Sequence, residues 1–480
     1  MSFKKFINEA NEAVKFSLKK LDIKNEAFNL TEPTRDEFGD LSCNIAFLLT
    51  KELQKSPQVI ASMLVEQYHQ FHNETYSNQS YISSVVAHES GYINFQANLA
   101  LISKEVISHI LKNDASRMDI GKGKKVIIEH TSVNPNKALH VGHLRNVAIG
   151  DTMYRILRDT NHDVKVLNYV DDSGLQVADI LVGFLFLKFP VTPPNHNIKF
   201  DTYCGNEIYV KVNELYEKDP TLVEKRKSLL KQLEEGDPQI NSFASEITSK
   251  VLKDQLRTCW RMKARYDLLN FESHIIISKL WEKTFERMRN ENIIIKETEG
   301  ENAGCWVFGS DVEGTKIIVR SDGTATYIAK DIPYALLKVG TLEDQFKYQV
   351  FLKQWDNTTL WSSTTDDLKE TNQPNFFPAT ESITVIDNRQ TRLQKIIKEI
   401  LNKFESNSNR YMHLSYGPVL LSSRTAMDLG IKPDDQKSVQ MSGRKGVFVD
   451  ADFVLDTLYR KAKEETINRN PEITGKDLER

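Results

Sequence analysis

The chain has 480 residues and a formal net charge of −3, and 40% of its residues are hydrophobic and 27% are charged. This length is too great for one ordinary domain, and the near-neutral charge excludes a protein that coats nucleic acid with a uniformly basic surface. The longest apolar run, 180–186, is far shorter than the roughly 18–20 residues of a membrane span. We therefore expect a cytoplasmic protein with no membrane partner. Four scattered cysteines without a C-x-x-C pair argue against structural zinc and against a disulfide framework.

The first 112 residues have the pattern of an α+β domain. A helical pattern opens the chain, residues 41–54 repeat it, and another helix begins at Pro57. Residues 81–96 alternate apolar and polar side chains and are rich in β-branched residues, which predicts a pair of strands. We expect a separate N-terminal domain over 1–112.

The next segment predicts a strand–helix–strand–helix unit. A short apolar run at 126–129 is typical of a buried strand, and a helix follows through about Arg158. A second strand is predicted over 163–169 and a second helix over 175–188. Strands that alternate with helices in this way form a parallel sheet. Residues 121–188 are therefore the first half of an α/β domain.

After this unit the pattern changes. Residues 189–305 are long, charged and mostly helical, and we interpret them as an insertion into the α/β domain. The second half of the sheet is expected over 306–430. Its strand-like runs are 316–319, 348–352 and 383–386, and its most regular helix is 391–404.

Two histidines lie at the turn between the first predicted strand and its helix. Open α/β sheets bind ligands at this carboxyl end of a strand. His140 and His143 are three residues apart and share one face of a first helical turn, and Gly142 allows close approach of a ligand. The helix start adds free N–H groups and partial positive charge, which suit phosphate. A metal site would need further ligands that the pattern lacks. A structural role in the core would suit either histidine alone. Two histidines that flank a glycine at this turn favour binding of a triphosphate.

A second motif, QMSGRKG at 440–446, is a Ser- and Gly-rich loop with two adjacent cations. Arg444 and Lys445 could close over phosphates and stabilise the negative charge that develops at an α-phosphate. Alone, the stretch is equally typical of a solvated basic loop. Its combination with the histidine turn, at the other end of the α/β domain, is much more specific.

Further stretches extend this pattern along nearly the whole chain. They are 38–47, 91–96, 129–151, 168–176, 265–274, 320–334, 385–395, 413–420 and 441–456. In order and content they resemble the arginyl-tRNA synthetase family of class I aminoacyl-tRNA synthetases, and the first two are similar to the additional N-terminal domain of that family.

The resemblance implies both a fold and an activity. The fold is α/β, with a Rossmann-like parallel-sheet catalytic domain, a largely helical connective insertion and an N-terminal α+β domain that helps to recognise tRNA. Residues 431–480 hold the M-S-x-R-K-G loop and the start of a linker region. The activity is ATP-dependent ligation of L-arginine to tRNA(Arg) through arginyl-adenylate, with Mg²⁺ accompanying ATP. The family also implies a monomer that requires bound tRNA before it activates the amino acid.

The resemblance assigns five residues to the substrate arginine. Tyr327 and Asp331 hold the guanidinium, and a planar cation indeed needs a carboxylate and a flat or hydroxyl partner. Four residues apart, they share one face of a helix start. Asn134 contacts the α-groups of the amino acid, and Gln176 and Gln390 line its pocket.

A second set of residues is assigned to ATP, and within it His140, His143 and the two loop cations take part in catalysis. The set is His140, Gly142, His143, His413, Gly417, Met441, Ser442, Arg444 and Lys445. Asp171 and Asp172 leave two interpretations open, a magnesium pair or a turn with a side-chain cap before a helix.

The chain departs from the family pattern in its loop and at its end. Gln440 and Gly443 stand where class I loops usually carry lysine. Lys137, three residues before the first histidine, is our candidate for the missing catalytic cation on the triphosphate. The chain also stops where a helical anticodon-binding domain should begin, so we expect a fragment or a truncated product.

Three alternatives to this enzyme remain. A small nucleotidyltransferase shares the histidine motif but would not need the insertion or the N-terminal domain. A cysteine-specific synthetase would show zinc-binding cysteines, and the sequence lacks such a pattern. A catalytically impaired or truncated RNA-binding paralogue would explain Gln440 and Gly443, but the intact histidine motif, Tyr327 and Asp331 argue against it.

Overall fold

The computed structural model of the chain shows two compact units. These units are Met1–Arg117 and Met118–Arg480. No helix within the described ranges is both long enough and apolar enough to span a membrane. The described ranges are 2–24, 27–75, 80–112, 119–365, 373–404, 410–428, 438–440 and 449–475.

The first unit combines an antiparallel sheet with helices. Its strands are β1 Leu30–Thr31, β2 Leu41–Cys43, β3 Ile82–Ala87 and β4 Ile93–Ala97, and its helices are α1 Ser2–Lys20, α2 Ile45–Leu48, α3 Thr50–Leu53, α4 Pro57–Thr75 and α5 Leu99–Leu111, with a 3-10 turn at Asp36–Phe38. The strands lie in the order β1-β2-β4-β3, and all pairs are antiparallel. Apolar side chains of α1, α4 and the sheet form one core, which includes Phe6, Leu18, Ile60 and Phe95.

Residues 41–54, for which periodicity predicts one helix, form a strand followed by two short helices. Leu41 pairs with Phe95 of β4, and all three residues of β2 are buried. An apolar run this short has no period that separates a strand from a buried helical turn. Pairing with β4 therefore decides the conformation. The pair of strands predicted within 81–96 is confirmed by β3 and β4.

The second unit is built on a seven-stranded, mostly parallel sheet. The strands of the unit are β5 Lys125–Glu129, β6 Asp163–Val170, β7 Leu268–Phe271, β8 Ile295–Lys296, β9 Trp306–Ser310, β10 Gly314–Val319, β11 Lys347–Lys353, β12 Thr359–Thr364, β13 Glu381–Asp387, β14 Tyr411–Tyr416, β15 Leu420–Ser422 and β16 Ser438–Gln440. The main sheet has the order β11-β12-β7-β6-β5-β13-β14, and β11 is its antiparallel edge strand. The predicted α/β class is confirmed.

Helices connect these strands and supply most of the remaining structure. They are α6 Val141–Asp159, α7 Leu175–Leu185, α8 Phe200–Tyr203, a π turn Cys204–Tyr209, α9 Val210–Tyr216, α10 Pro220–Glu235, α11 Pro238–Arg261, α12 Glu272–Ile277, α13 Leu280–Asn290, α14 Tyr327–Val339, a 3-10 turn Asn388–Gln390, α15 Thr391–Lys403, α16 Ser423–Asp428 and α17 Ala451–Arg469. The predicted order β5, α6, β6, α7 is therefore confirmed.

The strand order places a ligand-binding crevice at the end of β5. This strand is paired with β6 on one side and with β13 on the other, in parallel both times. The chain leaves β5 through α6 towards β6, whereas β13 joins from a much later segment. Such a reversal opens a crevice at the carboxyl ends of the strands. The buried, apolar residues 126–128 keep β5 in the centre of the sheet.

Three predicted segments differ in detail from the structure. Residues 189–305, expected to be a mostly helical insertion, also contain β7, which lies between β6 and β12. Its four buried residues are too few for a periodic signal inside a charged, helical stretch. The run 316–319 falls in β10, which belongs to a separate three-stranded sheet with β9 and β8. The run 348–352 falls in the antiparallel edge strand β11.

Candidate active site

The histidine turn is folded by its own side chains. His140 is the N-cap of α6, and its Nδ1 accepts a hydrogen bond from the Gly142 backbone N–H at 3.1 Å. The backbone N–H of His140 in turn donates to Nδ1 of His143 at 3.1 Å. This reciprocal cap satisfies backbone donors at the start of the helix. It also stacks the two imidazoles, with ring centroids 3.6 Å apart and planes 15° from parallel.

The cap fixes the protonation of both rings. A backbone N–H can only donate, so Nδ1 of each histidine must accept, and each neutral ring then carries its proton on Nε2. Burial and the charge of Lys137 lower the pKa of His140 to about 4. Burial holds the pKa of His143 well below its ordinary value, and the charges of His140 and Lys137 act in the same direction. At neutral pH the pair therefore presents two Nε2–H donors and no charge.

Lys137 supplies the positive charge at this turn. Its charge lowers the pKa of both histidines, which places the ammonium within electrostatic reach of the two rings. Its Nζ lies 5.9 Å from the ring centroid of Tyr209. A cation therefore lies beside the two N–H donors at the N-terminus of α6, an arrangement suited to phosphate.

The residues that follow the predicted phosphate loop are bonded to the same turn. Met441, Ser442, Arg444 and Lys445 lie outside the described residues. Beyond the loop, the backbone N–H of Val141 donates to the carbonyl of Val449 at 3.0 Å. Ala451 N–H donates to the carbonyl of Leu139 at 2.9 Å. Before the loop, Gln440 of β16 pairs with Leu420 of the antiparallel strand β15. The segment after the loop is thus bonded directly to the backbone that carries His140.

A cavity rich in carboxylates opens beside the histidine turn. Glu129 ends β5, Asp171 follows β6, Glu272 follows β7 and Asp331 lies in the second turn of α14. The other lining residues are Ser132, Asn134, Tyr169, Lys330, Tyr334, Lys338, Thr384, Ile386, Leu393, Gln394, Ile397 and Tyr411. Four carboxylates and two ammonium groups therefore share this cavity.

The two lysines neutralise only half of the carboxylates. Lys330 Nζ lies 2.7 Å from Glu272, and Lys338 Nζ lies 2.5 Å from Glu129. Within the part of the chain that the structure describes, Asp171 and Asp331 form no ion pair with lysine or arginine.

Burial and the excess of negative charge raise the pKa of the two carboxyl groups that have no ion pair among the described residues, Asp331 and Asp171. Burial, followed by the charge of Glu272, raises the pKa of Asp331 to about 8. The same two causes raise the pKa of Asp171 to about 7. A cavity in which carboxylates resist ionisation has a strong preference for a cation.

The predicted arginine-site residues are only partly gathered in this cavity. Asp331 lines it, and Asn134 donates from Nδ2 to Asp171 at 3.0 Å. Tyr327 begins α14, but its side chain lies outside what the structure describes. Gln176 lies in the first turn of α7 and Gln390 directly before α15, and neither is among the described lining residues.

Glu129 and Glu272 were missed by sequence reasoning, although a signal was available. Each carboxylate stands at the carboxyl end of a strand of the parallel sheet, β5 and β7, where such sheets bind ligands. Glu272 also accepts from Tyr169 Oη at 3.0 Å and from Ser173 Oγ. Because β7 was not predicted, the position of Glu272 at a strand end was not recognised.

Asp171 and Asp172 are adjacent in sequence but have different partners. Asp172 accepts from the backbone N–H of Ser273 at 2.9 Å and from its Oγ at 2.6 Å. It therefore ties the turn after β6 to α12. The N-cap of α7 is Gly174, without a side-chain hydrogen bond. Asp172 is thus not the cap of α7, and its carboxylate is directed to α12 while that of Asp171 is bonded to Asn134.

The predicted adenine region lies at the neighbouring strand end. His413 is in β14, and its Nε2 is 3.0 Å from the carbonyl oxygen of Ile386 in β13, to which it donates. A side chain added at Gly417 would meet no atom of the described residues within 4 Å. Tyr416 accepts from Asn146 of α6 at 2.9 Å, which joins this strand end to the histidine helix. The open space beside Gly417 leaves room for a planar ligand.

Comparisons with known proteins show the family to which the chain belongs. The family model for the catalytic domain of class I tRNA synthetases of the arginine type matches residues 106–354. The model for the arginyl-tRNA synthetase N-terminal domain matches residues 8–97.

Individual relatives extend the match over almost the whole chain. The arginine–tRNA ligase of Thermococcus sibiricus is 32% identical, over 92% of this chain and 68% of its own length. That of Pyrococcus furiosus is 33% identical, over 95% of this chain and 70% of its own length. Among solved structures, Thermus thermophilus arginyl-tRNA synthetase aligns with a TM-score of 0.68 and 29% identity, covering 98% of this chain and 72% of that chain. The chain belongs to the arginyl-tRNA synthetase family of class I aminoacyl-tRNA synthetases.

Proposed function

We propose that this chain ligates L-arginine to tRNA(Arg) in two ATP-dependent steps. The observation that carries the proposal is the carboxylate cavity, which adjoins a phosphate-type turn at the crevice of a parallel sheet. A long cationic side chain can enter this cavity while its α-carboxylate reaches a nucleotide bound at the turn. The alternative of a non-catalytic RNA-binding paralogue is not favoured by the relatives, which are named arginine–tRNA ligases.

Arginine is held mainly by charge. Asp331 accepts hydrogen bonds from the guanidinium, assisted by Glu272 and by the Tyr327 hydroxyl. Planar, bidentate carboxylate–guanidinium pairs are stronger than neutral hydrogen bonds. Asn134, already bonded to Asp171, lies towards the α-groups of the amino acid. Gln176 and Gln390 belong to the periphery of this pocket in our proposal.

ATP enters as its magnesium complex and is held by the histidine turn. His140 and His143 each donate from Nε2 to phosphate oxygens, and Gly142 lets the phosphates approach the helix start. Lys137 contributes the positive charge that Gln440 lacks. His413 and Gly417 flank the adenine.

The loop after β16 completes the ATP site. Met441 and Ser442 contact the nucleotide, while Arg444 and Lys445 close over the phosphates. These assignments rest on the family pattern and on the backbone bonds that tie the following residues to the histidine turn.

The chemistry requires no nucleophile from the protein. A carboxylate oxygen of arginine attacks the α-phosphorus, the bond to the β-phosphate oxygen breaks, and pyrophosphate leaves. A hydroxyl of the terminal tRNA ribose then attacks the adenylate carbonyl, and AMP leaves as the ester forms. Positioning, together with cations around the α-phosphate, supplies the rate enhancement. We further propose that the enzyme is a cytoplasmic monomer and requires bound tRNA for the first step.

ATP–pyrophosphate exchange tests the proposal. Labelled pyrophosphate should enter ATP only when arginine and tRNA are both present. Lysine, which is cationic but lacks a planar head group, should support far less exchange. His143→Ala should remove the activity while tRNA binding persists. Exchange that is absent in the wild-type chain, or that does not depend on arginine, would overturn the proposed function.

A further inference from the structure

The loop between β5 and α6 carries residues for both substrates. Asn134 faces the arginine cavity, and Lys137 faces the phosphate turn. Within the loop, the backbone N–H of Asn136 donates to the Asn134 carbonyl at 2.9 Å. The side chain of Asn136 is fully buried, yet neither polar atom of its amide has a hydrogen-bond partner among the described residues. Buried polar groups are normally paired, so this loop depends on contacts from outside.

One buried side chain supplies such contacts to both functional residues. Gln255 lies on α11, and 4% of its surface is exposed. Its Nε2 donates to the carbonyl of Asn134 at 3.1 Å and to that of Lys137 at 2.8 Å. One amide group therefore fixes the backbone at two positions. Asn134 is the position assigned to arginine, and Lys137 is the position assigned to ATP.

The same loop is also approached from a second side. Gly205 lies in the π turn, and a Cβ built on it would stand 2.6 Å from Cβ and 3.1 Å from Cα of Lys137. Only glycine fits this approach. Gln255 and Gly205 both lie in the helical segment between β6 and β7. This segment therefore contacts the loop at Lys137 in two ways, through the hydrogen bond from Gln255 and through the close approach of the Gly205 backbone.

We propose that Gln255 is a positioning residue for arginine activation. Gln255 is not among the described residues that line the cavity, and it acts by setting the distance between the Asn134 and Lys137 positions. Without its two hydrogen bonds the loop carbonyls lose this donor, and the loop can relax around the Asn136 amide, for which the described residues provide no hydrogen-bond partner. Misplacing a reacting group by ~1 Å can lower a rate by about 10²-fold. The inference rests on the proposed function, because it assigns Asn134 to arginine and Lys137 to the triphosphate.

The test compares two glutamine-to-methionine variants. Gln255→Met keeps the length and apolar packing of the side chain but removes both donors. Gln354→Met is the matched control, because Gln354 is equally buried, at 4% exposure, and likewise makes two hydrogen bonds to backbone, to the N–H and carbonyl of Tyr266 at 3.0 and 2.7 Å. Its Nε2 also donates to Thr358 Oγ1 at 3.1 Å. Each variant is compared with the wild-type chain for melting temperature, adenylate formed per site, and kcat and KM for arginine and ATP in tRNA-dependent exchange.

We expect both variants to lose melting temperature to a similar extent. Gln255→Met alone should lower kcat per active site about 30- to 100-fold and should raise KM for both arginine and ATP. Gln354→Met should retain wild-type kinetics per active site. If Gln255→Met does not fold, Gln255→Asn gives the same test, because its amide is one methylene too short to reach both carbonyls.

The outcomes separate this inference from the proposed function. Wild-type exchange together with equal kinetics in both variants overturns the role of Gln255 and leaves the function intact. A loss confined to the number of active sites, with unchanged kinetics at those that remain, also overturns it. Absence of exchange in the wild-type chain contradicts the proposed function instead.

Discussion

The acidity of Asp331 makes arginine binding depend on pH. With its pKa raised to about 8, this carboxyl is about half ionised at pH 8 and about 1% ionised at pH 6. A guanidinium cation binds the ionised form. The apparent affinity for arginine should therefore fall about 50-fold between pH 8 and pH 6, or about 2 kcal/mol. Asp171, whose pKa is raised to about 7, acts in the same direction.

The raised pKa of Asp331 also makes the stability of the fold depend on pH. A carboxyl whose folded pKa is raised above its unfolded value stabilises the fold fully below the unfolded pKa, near 3.8. That contribution is lost as the pH rises through 8. Bound arginine reverses the loss, because it favours the ionised form. Arginine should therefore raise the melting temperature more at pH 8 than at pH 6.

Calorimetry provides the direct assay. Arginine is titrated into the tRNA-bound protein at pH 7 in two buffers that differ in ionisation enthalpy, and the difference in heat gives the protons released. About one proton should leave per arginine bound, since Asp331 is about 90% protonated at that pH. Citrulline, the neutral isostere, should release none, and Asp331→Asn should flatten the pH dependence. Arginine binding without proton release, and with equal affinity at pH 6 and pH 8, would refute the electrostatic reasoning.

Three further substitutions test the remaining parts of the site. Lys137→Ala should cut adenylate formation by orders of magnitude while arginine affinity stays nearly intact, and unchanged turnover in exchange would contradict its assigned role. Lys338→Met leaves Glu129 as an unpaired buried charge and should lower the free energy of unfolding by about 3–5 kcal/mol in urea titrations; adding Glu129→Gln should recover most of it. Gly205→Ala should raise KM for ATP because the new methyl displaces Lys137, whereas Gly309→Ala, where a Cβ would meet no atom within 4 Å, should leave KM unchanged.

Local sequence patterns predicted the elements that are long and regular. The unit from β5 through α7 follows from apolar runs, a glycine-containing turn and helical periodicity, all within one continuous stretch. The four-residue strand β7 was not predicted, because its buried position comes from pairing with β6 and β12 and not from its own sequence. The edge strand β11 likewise takes its direction from its antiparallel partner β12.

The cavity was harder to predict because its lining comes from distant parts of the chain. Asn134 and Asp331 were assigned through the family resemblance, and the fold brings both to the crevice. Glu129 pairs with Lys338 across more than half of the α/β unit, and no local pattern encodes such a contact. The reciprocal cap of His140 and His143 could have been predicted from their spacing, since a cap and its third residue commonly bond to each other.

Charging of tRNA is the direct assay for the proposed arginine–tRNA ligase activity of this chain. The protein is incubated with labelled arginine, ATP and tRNA(Arg), and the label in precipitated tRNA is counted, with lysine and citrulline as competing amino acids. We expect ATP-dependent label in an alkali-labile ester that neither competitor displaces. Tight binding of tRNA without any transfer of arginine to it would contradict the account and would assign the chain to RNA binding alone.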